Sequence, residues 1–431
     1  MQSFTKKITP LLATLHKARV LKDFFTYSFG SLILRAVSLF LVPCIMRILT
    51  PAEYGTLALL TAFITISTAI IGLGLRQLLS IEYFHHDAHG QKTLINELLI
   101  IYTLCAIPLL AIAWHCKQLI SRYIFFDAVS SLALLAAFCS IFLFFYAELL
   151  YQLLQYNRRA RELTLLQLFV ASVTLIATLW TVWIAQLGVA GIILGQACGQ
   201  LCATLIGSTL YVHHKYGHYR NTHHTLKKIA PYARASAPFI PGIISSWILA
   251  SSDRWMLGHY YTMQEVGIYS IADLFAQLFS TLILVPWAGS YLPYILQRYK
   301  AHEVAITAIE QENKRTMWIS MAAATFCITI GLTLCKPLLL WILPPSYHSS
   351  LNYVWILLMG QVFLLGSYFA SAIIQFRKQT AFLAVALLIP ACLNIALNYL
   401  LIAPFGIFGC SLATMLSYLA YFQITLWHSS A

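Results

Sequence analysis

The stretch Thr50-Pro51-Ala52-Glu53-Tyr54-Gly55 lies between two long apolar runs, and its T-x-x-E-x-G spacing returns at Thr262-Met263-Gln264-Glu265-Val266-Gly267, again between apolar runs. Two more turns echo each other in the same order. Gln155-Tyr156-Asn157-Arg158 pairs with Gln375-Phe376-Arg377-Lys378, and Ile184-Ala185-Gln186-Leu187-Gly188-Val189-Ala190-Gly191 pairs with Ile402-Ala403-Pro404-Phe405-Gly406-Ile407-Phe408-Gly409. The offsets are 212, 220 and 218 residues, close to half of the 431-residue chain. Recurrence in order at a nearly constant offset is the signature of an internal duplication. In the motif itself, Thr50 or Thr262 can cap the following helix, and Glu53 or Glu265 suits its positive N-terminal end. Gly55 or Gly267 permits close backbone packing.

The composition puts this duplication in a membrane. Sixty per cent of residues are hydrophobic, ten per cent are charged, and the mean hydropathy is +0.76, far from a soluble domain. The net charge of +13 sits in short clusters between apolar runs and not in one stripe, which excludes a nucleic-acid partner and turns the basic residues into topology markers. A span needs about 20 apolar residues, and twelve such runs are present. The first half has Phe24 to Leu49, Thr56 to Leu75, Thr93 to His115, Ser130 to Gln155, Leu163 to Ala185 and Val189 to Val212. The second has Ala237 to Tyr260, Gly267 to Leu296, Met317 to Trp341, Leu351 to Gln375, Ala381 to Ile402 and Ile407 to Trp427.

Alternate connections hold most of the Lys and Arg. By the positive-inside rule both termini are expected in the cytoplasm and both T-x-x-E-x-G turns outside. The expected fold is therefore an all-α polytopic membrane protein of twelve transmembrane helices, in two six-helix lobes related by a parallel pseudo-two-fold repeat. Its expected parts are a basic N-terminal segment 1–22, an N-lobe 23–212, a basic cytoplasmic loop 213–234 and a C-lobe 235–431. No connection is long enough to hold an extramembrane catalytic domain. There is no Walker loop, G-x-S-x-G elbow or H-E-x-x-H motif, so no catalytic residues and no enzyme activity are expected. The ten cysteines form no C-x-x-C pair and read as small packing residues. The histidines at 213, 214, 218, 223 and 224 share their loop with Lys and Arg and suit anionic lipid heads better than a metal; no metal site is expected.

Charges within hydrocarbon are costly and so mark function by default. Arg35, near the middle of the first run, is expected to face a hydrated cavity between the lobes, where its planar fork suits a phosphate or carboxylate; a buried ion pair with Glu148 or another acid is the competing reading. Asp253 and Arg254 lie some two turns from the outer end of the seventh run, with Asp273 at similar depth in the eighth. Adjacent helical residues point about 100° apart, so one of Asp253 and Arg254 faces the cavity while the other packs inside its lobe. Arg254 with Asp273 as a structural pair is the competing reading. Glu148, about two turns from the cytoplasmic end of the fourth run, is a candidate coupling site or a hydrogen-bonded structural acid. Ser245, Ser246, Ser251, Ser252, Gln196, Gln200, Asn394 and Asn398 either line the path or bond between helices.

The passage from Phe24 through Arg47-Ile48-Leu49-Thr50-Pro51-Ala52-Glu53-Tyr54-Gly55 resembles the opening of bacterial polysaccharide biosynthesis proteins. These are lipid-linked oligosaccharide flippases of the multidrug/oligosaccharidyl-lipid/polysaccharide exporter superfamily. Pro238-Phe239-Ile240-Pro241, Ser252-Asp253-Arg254-Trp255-Met256-Leu257-Gly258 and Glu265-Val266-Gly267-Ile268-Tyr269-Ser270 are similar to that family's seventh and eighth helices. The resemblance implies a transporter in the bacterial inner membrane that moves an undecaprenyl-pyrophosphate-linked sugar to the outer leaflet. Arg35, Arg254 and Asp253 would then bind cargo, and Glu148 and Asp273 would serve coupling or gating. It implies no cofactor beyond a coupling ion, H+ or Na+. Its partners would be polyprenyl-linked oligosaccharide, membrane lipids, and a polysaccharide polymerase or other assembly proteins. A cation-coupled multidrug or metabolite antiporter of the same superfamily is the alternative; it calls for acids in the cavity, which Glu148 and Asp253 could supply.

Overall fold

A computed structural model describes residues 42–157, 159–207, 230–284, 291, 295 and 306–430. Its regular elements are helical throughout the described residues. In the first half these are α1 (Pro51–Ile71), α2 (Leu75–Glu82), α3 (Ala88–His115), α4 (Lys117–Ile124), α5 (Ser131–Tyr156), α6 (Ala160–Leu179) and α7 (Gly188–Ile206). The second half contributes α8 (Ile240–Trp247), α9 (Asp253–Tyr260), α10 (Met263–Phe279), α11 (Ile306–Ile342), α12 (Leu351–Phe376) and α13 (Thr380–Ser430).

Nine segments of the described residues are long and apolar enough to cross a membrane. The last of them folds at Gly406, which has φ +55° inside α13, and so holds both spans expected between Ala381 and Trp427. The expected run Ala237 to Tyr260 is helical but not regular. A π turn, Ile248–Ser252, separates α8 from α9, and the Ser252 hydroxyl bonds back to the Ile248 carbonyl at 2.8 Å. A side chain competing in this way for a backbone acceptor loosens the α-helical ladder. Similar π turns extend α6 (Trp180–Ile184) and α10 (Ser280–Leu284). The first expected run is described only from residue 42, and most of the loop 213–234 lies outside the described residues.

Apolar side chains cover the outside as well as the core. On α3, Ile107 and Ile112 are exposed; on α6, Ile176 and Trp180; on α11, Phe326 and Leu334. A helix that is apolar on every face belongs in a membrane or a large core. This chain is a multi-pass membrane protein. The most enclosed span is α12, which packs along α13 and buries Leu357, Val362, Phe369 and Ile373.

The repeated turns have matching geometry. Thr50 and Glu53 form a reciprocal capping box at the start of α1, with the Thr50 N–H donating to Glu53 at 2.8 Å. Thr262 and Glu265 form the same box at the start of α10. Each box satisfies backbone donors that a helix start otherwise leaves open, at about 1 kcal/mol. The third pair of turns agrees at its first glycine: Gly188 has φ +54° and Gly406 φ +55°. An L side chain there is strained, so glycine is required twice at the same place in the repeat.

The two glycines of the capping motifs meet. A Cβ built on Gly55 would lie 2.8 Å from the Gly267 nitrogen, with the Met263 carbonyl oxygen nearer still. One built on Gly267 would lie 2.7 Å from the Pro51 carbonyl carbon. Helices α1 and α10, one from each half, are thus in backbone contact at the end of the bundle that bears both motifs. The halves are joined further along. The Trp255 indole donates to the Ile124 carbonyl at 2.9 Å and the Trp247 indole to the Ala62 carbonyl at 3.1 Å.

Candidate functional site

Below the glycine contact, α1 and α10 diverge around a cavity of about 540 Å³. From α1 it is lined by Tyr54, Leu57, Ala58, Thr61, Ala62 and Thr65, and from α10 by Ser270, Asp273, Leu274 and Gln277. These faces correspond. Ala58 and Ser270, Thr61 and Asp273, Ala62 and Leu274, and Thr65 and Gln277 are each separated by the same 212 residues that separate Thr50 from Thr262. Two more lining residues, Gln196 of α7 and Thr414 of α13, stand at the 218-residue offset of the third echo. Equivalent helices therefore present equivalent faces to one cavity, while the side chains differ. The first half offers hydroxyls and an amide; the second adds a charged pair.

That pair is Arg254 and Asp273. The Arg254 Nη2 is in ion-pair contact with Asp273 Oδ2, and both residues are buried to 8% exposure. Asp273 Oδ2 also accepts from Gln277 Nε2 at 2.7 Å. The rest of the guanidinium is less well served. Its Nη1 reaches Ser251 Oγ only at 3.5 Å, and its Nε has no partner among the described residues. The π turn Ile248–Ser252 just ahead of α9 supplies Ser251, and such turns often occur at functional sites.

Of Asp253 and Arg254, only one of which is expected to face the cavity, it is Asp253 that points the other way. It is 2% exposed and absent from the lining. Its Oδ2 accepts from the Tyr269 hydroxyl and from Thr414 Oγ1 at 3.3 Å, and its Oδ1 takes the Arg254 N–H at 3.0 Å. With three donors, it is a satisfied carboxylate that ties α9 to α10 and α13 inside the second half. Glu148 pairs with Arg76 at 2.9 Å, with side chains 30% and 37% exposed. Neither lines the cavity. Arg35 lies outside the described residues.

Of the polar residues expected along a path, Ser251 and Gln196 are in the cavity wall. Asn394 and Asn398 are fully buried and bond to each other at 3.0 Å, with Ser252 reaching Asn394 at 3.3 Å. Ser245 is fully buried, and Ser246 bonds back to its own helix at 2.8 Å. Tyr54, Thr61, Thr65, Gln277, Gln361 and Tyr418 line the cavity and were missed from the sequence. A signal was available: counted from the capping threonine, the two eighth, eleventh and fifteenth positions form one helical stripe, Ala58-Thr61-Thr65 and Ser270-Asp273-Gln277. The histidine-rich stretch 213–224 is outside the described residues, and among those described no group of three His, Cys, Asp or Glu is placed to hold a metal.

A polar cavity at the seam of two helical halves, closed at one end by backbone contact, defines the class of multi-helix membrane proteins whose halves enclose a central site. Within that class, the model of the polysaccharide biosynthesis protein family matches residues 20–299, and the chain belongs to that family. The fold is similar to a structure of the lipid II flippase MurJ in an inward closed conformation, with TM-score 0.70 and 15% identity over 94% of this chain and 87% of that one. It is equally similar to an inward-facing multidrug resistance MATE family transporter of the MOP superfamily, with TM-score 0.70 and 12% identity over 94% and 93%. For an outward-facing MATE structure the TM-score is 0.54, with 13% identity over 95% of both chains. No curated protein sequence matches this chain.

Proposed function

We propose that this protein flips a lipid-linked oligosaccharide, with an undecaprenyl-pyrophosphate anchor, from the cytoplasmic to the outer leaflet of the bacterial inner membrane. The observation that carries the reading is the cavity between α1 and α10, where one under-satisfied arginine shares the wall with hydroxyls, amides, Asp273 and small or aliphatic side chains. A pyrophosphate cannot enter hydrocarbon bare, because desolvating its charge is too costly. Arg254 would replace water around the phosphate, and Thr61, Thr65, Gln196 and Gln361 would meet sugar hydroxyls. Arg35 is kept from the sequence as a second cation for the same head group.

With the basic connections in the cytoplasm, the glycine contact closes the outer end, so the cavity is reached from inside. Alternating access then requires α1 and α10 to part at Gly55 and Gly267 while the other end closes. A coupling ion, H+ or Na+, has one carboxylate to act on among the described residues of the cavity wall, Asp273. The antiporter alternative is less well supported, because Asp253 is enclosed by donors and Glu148 pairs outside the cavity. Surface polysaccharide assembly in cells that lack the chromosomal copy tests the reading. The wild-type chain restores assembly and Arg254→Gln does not; full restoration by Arg254→Gln would remove the basis for the cargo assignment.

A further inference from the structure

A permanent cation in the wall of a transport cavity poses a problem of selectivity. Left open, Arg254 would attract any small anion that reached it. Here its place is already taken. Asp273 Oδ2 sits on Nη2, and the carboxylate meets the guanidinium through that one oxygen and not through the two-point fork that arginine can offer. The rest of the fork is poorly partnered, and its Nε is buried. Nε has no partner among the described residues and Nη1 has only the 3.5 Å approach to Ser251, in a residue 8% exposed that lines the cavity. The carboxylate, for its part, has a second holder in Gln277, whose amide donates to it at 2.7 Å.

From this arrangement, and resting on the cargo reading above, we infer that Asp273 is a resident anion that the cargo's pyrophosphate displaces from Arg254, with Gln277 retaining the displaced carboxylate. The exchange favours a ligand of one chemical class. A pyrophosphate spans two guanidinium N–H groups and bears more charge than a carboxylate, so it outcompetes the single-oxygen contact. A monovalent ion such as chloride offers neither advantage and is held off. When the head group leaves, the carboxylate returns from Gln277 and restores the pair, so release does not leave a buried charge without a partner. Asp273 and Gln277 are in this sense specificity-determining residues that act through Arg254. The equivalent positions of the first half are Thr61 and Thr65, so the exchange is built into one wall only.

The test measures binding of farnesyl pyrophosphate to the purified full-length protein in detergent, read as ligand-induced thermal stabilisation and as Kd. Arg254→Gln is expected to abolish binding. Asp273→Asn removes the competitor, and binding is expected to tighten by about tenfold, equivalent to about 1.4 kcal/mol. Gln277→Met removes the holder for the displaced carboxylate and is expected to weaken binding several-fold, opposite in sign to Asp273→Asn. If Asp273→Asn binds no more tightly than wild type while Arg254→Gln still abolishes binding, the exchange is overturned and the Arg254 site survives. If Arg254→Gln binds as wild type does, both the exchange and the cargo reading fall. Should Asp273→Asn not fold, Gln277→Met decides alone: weaker binding supports the exchange, and unchanged or tighter binding overturns it.

Discussion

Replacing Gly267 by alanine should open the end of the cavity that the two motifs close. The added Cβ would stand 2.7 Å from the Pro51 carbonyl carbon, with the carbonyl oxygen nearer still, where ordinary van der Waals contact begins at 3.4 Å. Both neighbours are backbone, so no side chain can rotate aside. Helices α1 and α10 must separate by at least about 0.7 Å on that contact alone. Overpacking of this kind costs about 1–3 kcal/mol. The cost falls only on the conformation in which the helices touch, so the ratio of closed to open forms should drop about 5- to 150-fold. The assay is labelling of Thr61→Cys, a cavity position, by a membrane-impermeant maleimide added from the motif side, in a background without the ten native cysteines. Labelling should rise steeply with Gly267→Ala. Gly331→Ala in α11, whose Cβ would meet nothing within 4 Å, should leave it unchanged. A folded Gly267→Ala protein with unchanged labelling would refute the role of the glycine contact as the closure.

Three further outcomes follow from the same geometry. Thr50→Val or Thr262→Val removes one side of a capping box and should lower stability by about 1 kcal/mol, seen as a reduced melting temperature in detergent. Arg254→Leu alone leaves Asp273 buried without its cation and should cost about 3–5 kcal/mol, whereas Arg254→Met combined with Asp273→Leu should recover most of that stability and no transport; a transport-competent double variant would contradict the cavity assignment. Glu148→Gln breaks a pair that is about a third exposed and should change stability by no more than about 1 kcal/mol. It should also leave transport at the wild-type rate, and loss of transport would return Glu148 to the coupling role.

Much of this molecule could be read from its turns. The capping threonines, the glutamates three residues on and the positive-φ glycines are local devices, so their spacing in the sequence survives unchanged into the fold. Long apolar runs likewise locate helices whatever they pack against. The partnership of Gly55 with Gly267 could not be read in the same way, because each glycine fits its own helix and only the tertiary arrangement brings them together. The same holds for the charges. Sequence limits Asp253 and Arg254 to different directions, but which one faces the cavity depends on the π turn at Ile248–Ser252 and on the donors at Tyr269 and Thr414. The depth of Glu148 in an apolar run suggests a function, but its partner Arg76 comes from a separate helix. The hydroxyl wall of Thr61 and Thr65 does not stand out in the sequence because threonine is ordinary in a membrane helix; it gains meaning only when set against Asp273 and Gln277 one repeat later.

The central claim is that a lipid-linked oligosaccharide crosses the membrane through the cavity at Arg254. The most direct measurement is the flipping of a fluorescently labelled, undecaprenyl-pyrophosphate-linked oligosaccharide in proteoliposomes that contain only this protein. The account predicts that the wild-type chain makes the labelled sugars accessible on the opposite leaflet and that Arg254→Gln does not. No flipping by a folded wild-type protein, or flipping by Arg254→Gln at the wild-type rate, would contradict it.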